Sequence, residues 1–245
     1  MAQKLEDSGD KITTTLTSHN DQRTYAMWVN RDTGDGGGGN GRYFDKNTGS
    51  GSDELMFNSG SAGGLIFFDR TFSISGGEWN CPRPSTLAWH QITVTYDSSS
   101  ISNNPLMYVD GTSQTVTETA APDGTAVTNT DAYVIGNRGT GTDRVSDAQF
   151  AEFAIWNRIL TASEVAALAD GYSPLFMSNS LVLYCPLVRN IVDFKNAVPT
   201  AVGNAITVHP RIIYPTMEMI RRFTIAIVTK VIKDIIGLGV VPFPR

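Results

Sequence analysis

Cysteine and histidine are scarce in this chain of 245 residues. Two cysteines, Cys81 and Cys185, are too few for a disulfide framework and read as free thiols. Three histidines, His19, His90 and His209, lie far apart without ligand spacing, and no Ser/His/Asp set can be justified from sequence. Basic charge is in deficit: 19 Lys and Arg against 24 Asp and Glu give −5, which argues against nucleic acid as a partner of the main body. The N-terminus, MAQKLEDSGDK, has no apolar stretch, so no secretory signal peptide is expected. The most apolar segment, 217–236, is cut by Arg221, Arg222, Lys230 and Lys233, so no membrane span is expected either.

What the chain has is Gly, Ser, Thr, Asn and Asp between short apolar runs, the composition of many strands joined by tight turns. Residues 24–30 alternate, with Tyr25, Met27 and Val29 on one face. Strands are also expected at 12–17, 42–44, 54–58, 64–70, 71–75, 89–97, 106–109, 114–119 and 132–135. Asp110–Gly111 and Pro122–Asp123–Gly124 are turn signals. The glycine run 34–41 lacks the Lys–Ser/Thr and helix of a phosphate loop and reads as a mobile hairpin tip. Residues 79–84 read as a loop. Trp28, Trp89, Tyr96, Ile135, Phe153 and Leu183 are the expected core.

One stretch, FAEFAIWNRILTASEVAALADGY (150–172), switches from strand to helix. Thr161 is placed as N-cap, Glu164 completes a capping box, and Gly171 stops a short helix over 162–169. Its Glu152, Ile155–Trp156–Asn157, Arg158, Leu160–Thr161 and Gly171 resemble the laminin-G-like, concanavalin A-like jelly rolls. So do Trp89–Asp97, Tyr108–Val109–Asp110–Gly111, Ile135–Gly136 and Leu181–Leu187, with Cys185 where many relatives carry Trp and Ala148 where Gly is common. The resemblance implies an all-β fold, a two-sheet antiparallel jelly-roll sandwich with one short helix, plus a C-terminal extension. It divides the chain into a polar lead (1–10), the jelly roll (11–200) and an apolar, basic tail (201–245). The fold hosts lectins, adhesins, hydrolases and structural modules, so the ligand stays open.

Catalytic signals are poor. The E-x-D-x-x-E strand of related glucanases is absent, Glu152 being followed at i+2 by Ala154, so no enzyme is expected. Trp79 either seals the sandwich edge or stacks on a sugar, and with Asn137 and Asp143 it forms the candidate glycan rim. No cofactor is required; Ca²⁺ is the cation relatives hold, with Asp131, Asn137, Asp143 and Asp147 as candidate ligands.

From residue 200 on, six basic residues face two acidic ones, a net of +4 in a chain of −5. Ile220, Phe223, Ile227, Val231 and Ile235 would form a helical stripe, whereas Phe223, Ile225 and Ile227 alternate as a strand would. Together with Ile212, Ile213 and Tyr214 they form the expected assembly surface, leaving the sandwich from about residue 209. The run His209–Pro215 resembles tails of phage-encoded members of the family. That resemblance implies a non-enzymatic virion protein assembled in host cytoplasm, most simply a capsid decoration or cement protein. Its partners would be a major capsid protein, copies of itself (a trimer is one arrangement) and a glycan. A cellular lectin or adhesin is the alternative, and a glycoside-active enzyme the third.

Overall fold

A computed structural model describes residues 2–17, 20–34, 36–46, 53–58, 65–128, 130–140, 143–187, 200–202, 204–206 and 209–216. In chain order its strands are β1 (Ala2–Leu5), β2 (Lys11–Thr13), β3 (Gln22–Arg31), β4 (Arg42–Asp45), β5 (Asp53–Asn58), β6 (Leu65–Arg70), β7 (Gly77–Pro82) and β8 (Trp89–Asp97). They continue with β9 (Leu106–Val109), β10 (Thr112–Ser113), β11 (Thr117–Ala120), β12 (Val134–Ile135), β13 (Ala148–Trp156), β14 (Leu181–Cys185), β15 (Thr200–Val202) and β16 (Asn204–Ile206). One α-helix, α1, spans Ala162–Ala169.

Among the described residues these strands form two antiparallel sheets of eight. One runs β10-β9-β8-β3-β13-β1-β16 with β14 also on β13, and the other β11-β7-β6-β5-β4-β12-β2-β15. The architecture is the all-β, two-sheet sandwich with one short helix that the motifs imply. Alternation explains the packing. In β3 and β8, paired from Gln22↔Asp97 to Asn30↔Trp89, the residues Tyr25, Met27, Val29, Ile92, Val94 and Tyr96 point into the sandwich and are buried. The opposing sheet contributes Phe44, Leu55, Ile66, Phe68 and Trp79 to the same core.

A second, smaller core lies on the outer face of the first sheet. Ala26, Tyr108, Ala154, Trp156 and Tyr184 pack beneath Val165 and Leu168 of α1. The helix starts at a complete capping box between Thr161 and Glu164, and Arg158 pairs with Glu164 at 2.6 Å. Gly171 (φ 89°) ends it where a Cβ would sit 2.5 Å from the Arg211 carbonyl oxygen.

The structure corrects several expectations. Residues 2–5 are a buried strand of the sandwich, not a lead: Gln3 pairs with Phe150 and Ala205. Residues 71–75 form only isolated bridges, at Phe72 and Ser75, and 77–82 is a strand rather than a loop. β15 and β16 extend both sheets, so the sandwich does not end at residue 200. Of the expected core, Tyr96, Ile135, Phe153 and Leu183 are buried. Trp28 and Trp89 are only half-buried, because both stand in the outward register of their strands.

The tail does not leave at 209. Ile213 pairs with Tyr172, donating its N–H to the Gly171 carbonyl at 2.7 Å and accepting the Ser173 N–H at 3.0 Å. The Ile213 backbone and the Tyr214 hydroxyl are thus fastened to their own sandwich, while both side chains keep an exposed surface. Ile220, Phe223, Ile227, Val231 and Ile235 lie outside the described residues. Among the described residues no helix is long and apolar enough to cross a membrane.

Candidate functional site

Three chain segments meet at the end of the sandwich where β3 finishes. They are the turn after β1, the glycine-rich loop after β3, and the loop that leads into β13. Between them lies an open cleft of about 440 Å³, lined by Glu6, Asp7, Gly34, Gly36, Gly37, Val145 and Asp147. The glycine loop is tied down rather than free. Gly37 donates to the Val145 carbonyl (2.8 Å), Arg42 to that of Arg144 (3.0 Å), and the Arg31 guanidinium to that of Gly34 (2.5 Å). At Gly34 a Cβ would lie 2.6 Å from Asp147 Oδ2, so only glycine leaves room for the carboxylate.

One carboxylate oxygen from each of Glu6, Asp32 and Asp147 lies within 4.8 Å of the others. Lys4 Nζ partly neutralises them, 2.6 Å from Glu6 and 3.4 Å from Asp32. The hydrogen bond to Glu6 is the main reason the Lys4 ammonium is raised. Burial, then the neighbouring Asp32 carboxylate, raises Asp147. Three anionic oxygens converging on one point, against a glycine wall, form a donor set for a hard cation that prefers oxygen, such as Ca²⁺.

The proposed rim residues do not meet there. Trp79 is fully buried, stacked on Phe68 (6.3 Å) and tilted against Tyr96 (5.0 Å), with its indole N–H donating to Asn104 (2.8 Å) and Glu118 (3.2 Å). It seals the core and offers no face to a sugar. Asn137 is also fully buried. It donates to the carbonyls of Ser8 and Asp10 and accepts the amides of Arg138 and Arg144, so its amide is spent on fixing the loop. Asp143 is exposed and pairs with Arg138 at 2.8 Å. Asp131 lies near Lys46, whose ammonium it helps to keep charged against burial. Of the metal candidates only Asp147 joins the carboxylate cluster.

A family model for the concanavalin A-like lectin/glucanases superfamily matches residues 6–166. The chain belongs to this superfamily. No curated protein matches it. Among solved structures, a candidate carbohydrate-binding protein from Bacteroides ovatus superposes with a TM-score of 0.60 at 17% identity, over 82% of this chain and 58% of that one. The receptor-binding domain of botulinum neurotoxin C/D mosaic serotype gives 0.54 at 13% identity, and the binding domain of serotype D gives 0.52 at 13%; each match covers 68% of this chain and 41% of the other. This chain therefore spans little over half of the first relative and less than half of the toxin chains. At such identities the likeness shows the fold alone.

Two parts of the superfamily sandwich escaped sequence reasoning. Glu6 and Asp32 were overlooked because their partner Asp147 is more than a hundred positions away; the only local signal was the acidic turn beside the glycine run. The tryptophans with surface to offer are Trp28 and Trp89, diagonal neighbours on the outward face of β3 and β8. Glu152 is a buried hydrogen-bonding carboxylate. It sits in the bulge where β1 gives way to β14 along β13, with φ 55°. Tyr184 and Tyr214 donate to its two oxygens.

Proposed function

We propose that this chain is a glycan-binding module that uses the acidic cleft at the β3 end as a cation-assisted site which holds its glycan without cleaving it. The observation that carries this reading is the convergence of Glu6, Asp32 and Asp147 on a glycine-walled cleft in a lectin-like sandwich. A Ca²⁺ held there would displace Lys4 and leave positions open for sugar hydroxyls. The likeness to a Bacteroides ovatus candidate carbohydrate-binding protein supports the substrate class. Lys4 pairs with both Glu6 and Asp32, a neutralisation that suits a cation-binding set better than a free acid and nucleophile pair. A glycan array probed in calcium and in chelator tests the reading; silence in both, or release of reducing ends from a bound glycan, overturns it.

The setting we propose is a phage virion, where the chain would decorate a capsid and hold itself there, with copies of itself, through the segment beyond Thr216. Support comes from the likeness of His209–Pro215 to phage-encoded members and from the basic, apolar composition that follows. Ile213 is bonded to Gly171 and Ser173 and Tyr214 to Glu152, so any such anchor starts after Tyr214. Truncation after Thr216 is then expected to leave a folded domain that no longer assembles. A truncated chain that still assembles would contradict the anchor.

A further inference from the structure

At the same end of the sandwich, the β7–β8 connection meets the β9–β10 hairpin turn. Here Ser85 Oγ lies 3.0 Å from His90 Nε2, and His90 Nδ1 lies 2.7 Å from Asp110 Oδ2. The other Asp110 oxygen accepts the Gln91 N–H at 2.8 Å, while Asp110 N–H donates to the Gln91 carbonyl at 2.8 Å. The aspartate is therefore clamped to the strand that carries the histidine. A carboxylate at Nδ1 fixes the proton there, which leaves Nε2 as an acceptor facing the serine hydroxyl. Hydroxyl, imidazole and carboxylate thus follow one another in the order and sense that activates a serine nucleophile.

We propose that Ser85 is the nucleophile of an ester-cleaving site, with His90 as its general base and Asp110 as the positioning residue. The site is open: Ser85 is exposed, and the His90 side chain is 17% exposed. The connection that carries Ser85 holds a left-handed, non-glycine backbone at Leu87 (φ 62°), fixed by its N–H to the Arg31 carbonyl at 2.8 Å. That conformation leaves the leucine side chain 66% exposed, an apolar surface next to the nucleophile for a short acyl group. The Ser85 and Thr86 amides take no partner among the described residues and are the nearest donors in sequence for a developing oxyanion. The exposed Leu87 side chain is a small apolar surface, which matches a small carboxylic ester.

The chemistry closes without a cofactor. Ser85 Oγ bonds to the acyl carbon as its proton passes to His90 Nε2. The ester C–O bond then breaks, and His90 returns the proton to the leaving alcohol oxygen. A water, deprotonated by His90, attacks the acyl carbon; the bond to Oγ breaks and Oγ regains the proton, releasing the acid. This site shares no residue with the acidic cleft, so it stands or falls apart from the glycan-binding reading.

The test is fluorophosphonate labelling of the full chain with mass-spectrometric mapping, alongside hydrolysis of p-nitrophenyl acetate. The adduct is expected on Ser85, with hydrolysis lost in Ser85→Ala. His90→Gln should lower kcat about 10²-fold. Asp110→Asn should lower kcat by about the same factor with KM unchanged, a split that a merely structural hydrogen bond would not produce. The map on the unmodified chain needs no variant to fold. An unlabelled Ser85, an adduct elsewhere only, or hydrolysis equal in wild type and Ser85→Ala overturns the proposal.

Discussion

The Tyr214 hydroxyl donates to Glu152 Oε1 at 2.7 Å, joining a residue near the start of the C-terminal tail to a buried carboxylate at the middle of the sandwich. Tyr184 donates to the other oxygen at 2.5 Å, and His209 Nε2 lies 3.4 Å from Oε1. A carboxylate 2% exposed is costly without donors, so the bulge at Glu152 and the strap 209–214 stabilise each other.

Tyr214→Phe removes the hydrogen-bond donor of Oε1 and leaves that nearly buried oxygen with only His209 Nε2, 3.4 Å away. The expected cost is about 1–3 kcal/mol, the range for orphaning a buried acceptor. Urea denaturation reads it as a lower midpoint with unchanged slope. An unchanged midpoint would mean that the strap is not fastened through this bond.

The two sheets make different demands on their tryptophans. Trp79→Ala opens a cavity in the aromatic centre beside Phe68 and Tyr96, at a cost of about 3–5 kcal/mol. Trp89→Ala, on the half-buried outer face, should cost less than about 3 kcal/mol. Thermal unfolding of the pair, compared at one pH, would refute the assignment of faces if the order were reversed.

Stability should fall between pH 5 and 8. Burial, then nearby Glu78, pushes Asp69 up to about 8 from 3.8, and burial, then Glu54, pushes Asp45 up to about 7 from 3.8. Above pH 3.8 the unfolded chain releases these protons while the folded chain holds them, so folding free energy is lost until pH passes the folded values. Glu164 works in the opposite sense. Its hydrogen bond to Arg158 holds it near 2 against 4.5, a contribution present above pH 4.5 and lost as pH falls toward 2. Asp69→Asn and Asp45→Asn should each flatten the descent from pH 5 to 8 in denaturation midpoints; an equally steep descent in both would contradict the account.

Local chemistry was legible in the sequence and distant pairing was not. The capping box at Thr161, the strands 89–97 and 106–109 and the Asp110–Gly111 turn depend on neighbours in sequence, and each lies where its pattern placed it. Of the two readings of Trp79 the seal holds, and the sequence left the choice open because its surroundings, Phe68, Tyr96, Asn104 and Glu118, come from four other segments. Residues 2–5 carry a polar pattern, yet Ala2 and Leu5 are buried because β13 and β16 flank the strand. Asp147 was found and its partners Glu6 and Asp32 were not, since nothing local marks carboxylates that only folding brings within 4.8 Å. The same holds for Ser85, His90 and Asp110, which share no motif and meet through a loop and a hairpin turn.

The most direct test of the central claim is calorimetric titration of an array-selected glycan into the wild-type chain and into Asp147→Asn, each with calcium and with chelator. The account predicts saturable binding by the wild type in calcium, lost in chelator and lost in Asp147→Asn, whose remaining carboxylates Glu6 and Asp32 stay paired with Lys4. Equal binding by both chains with calcium removed would contradict it, placing any glycan site away from the acidic cleft.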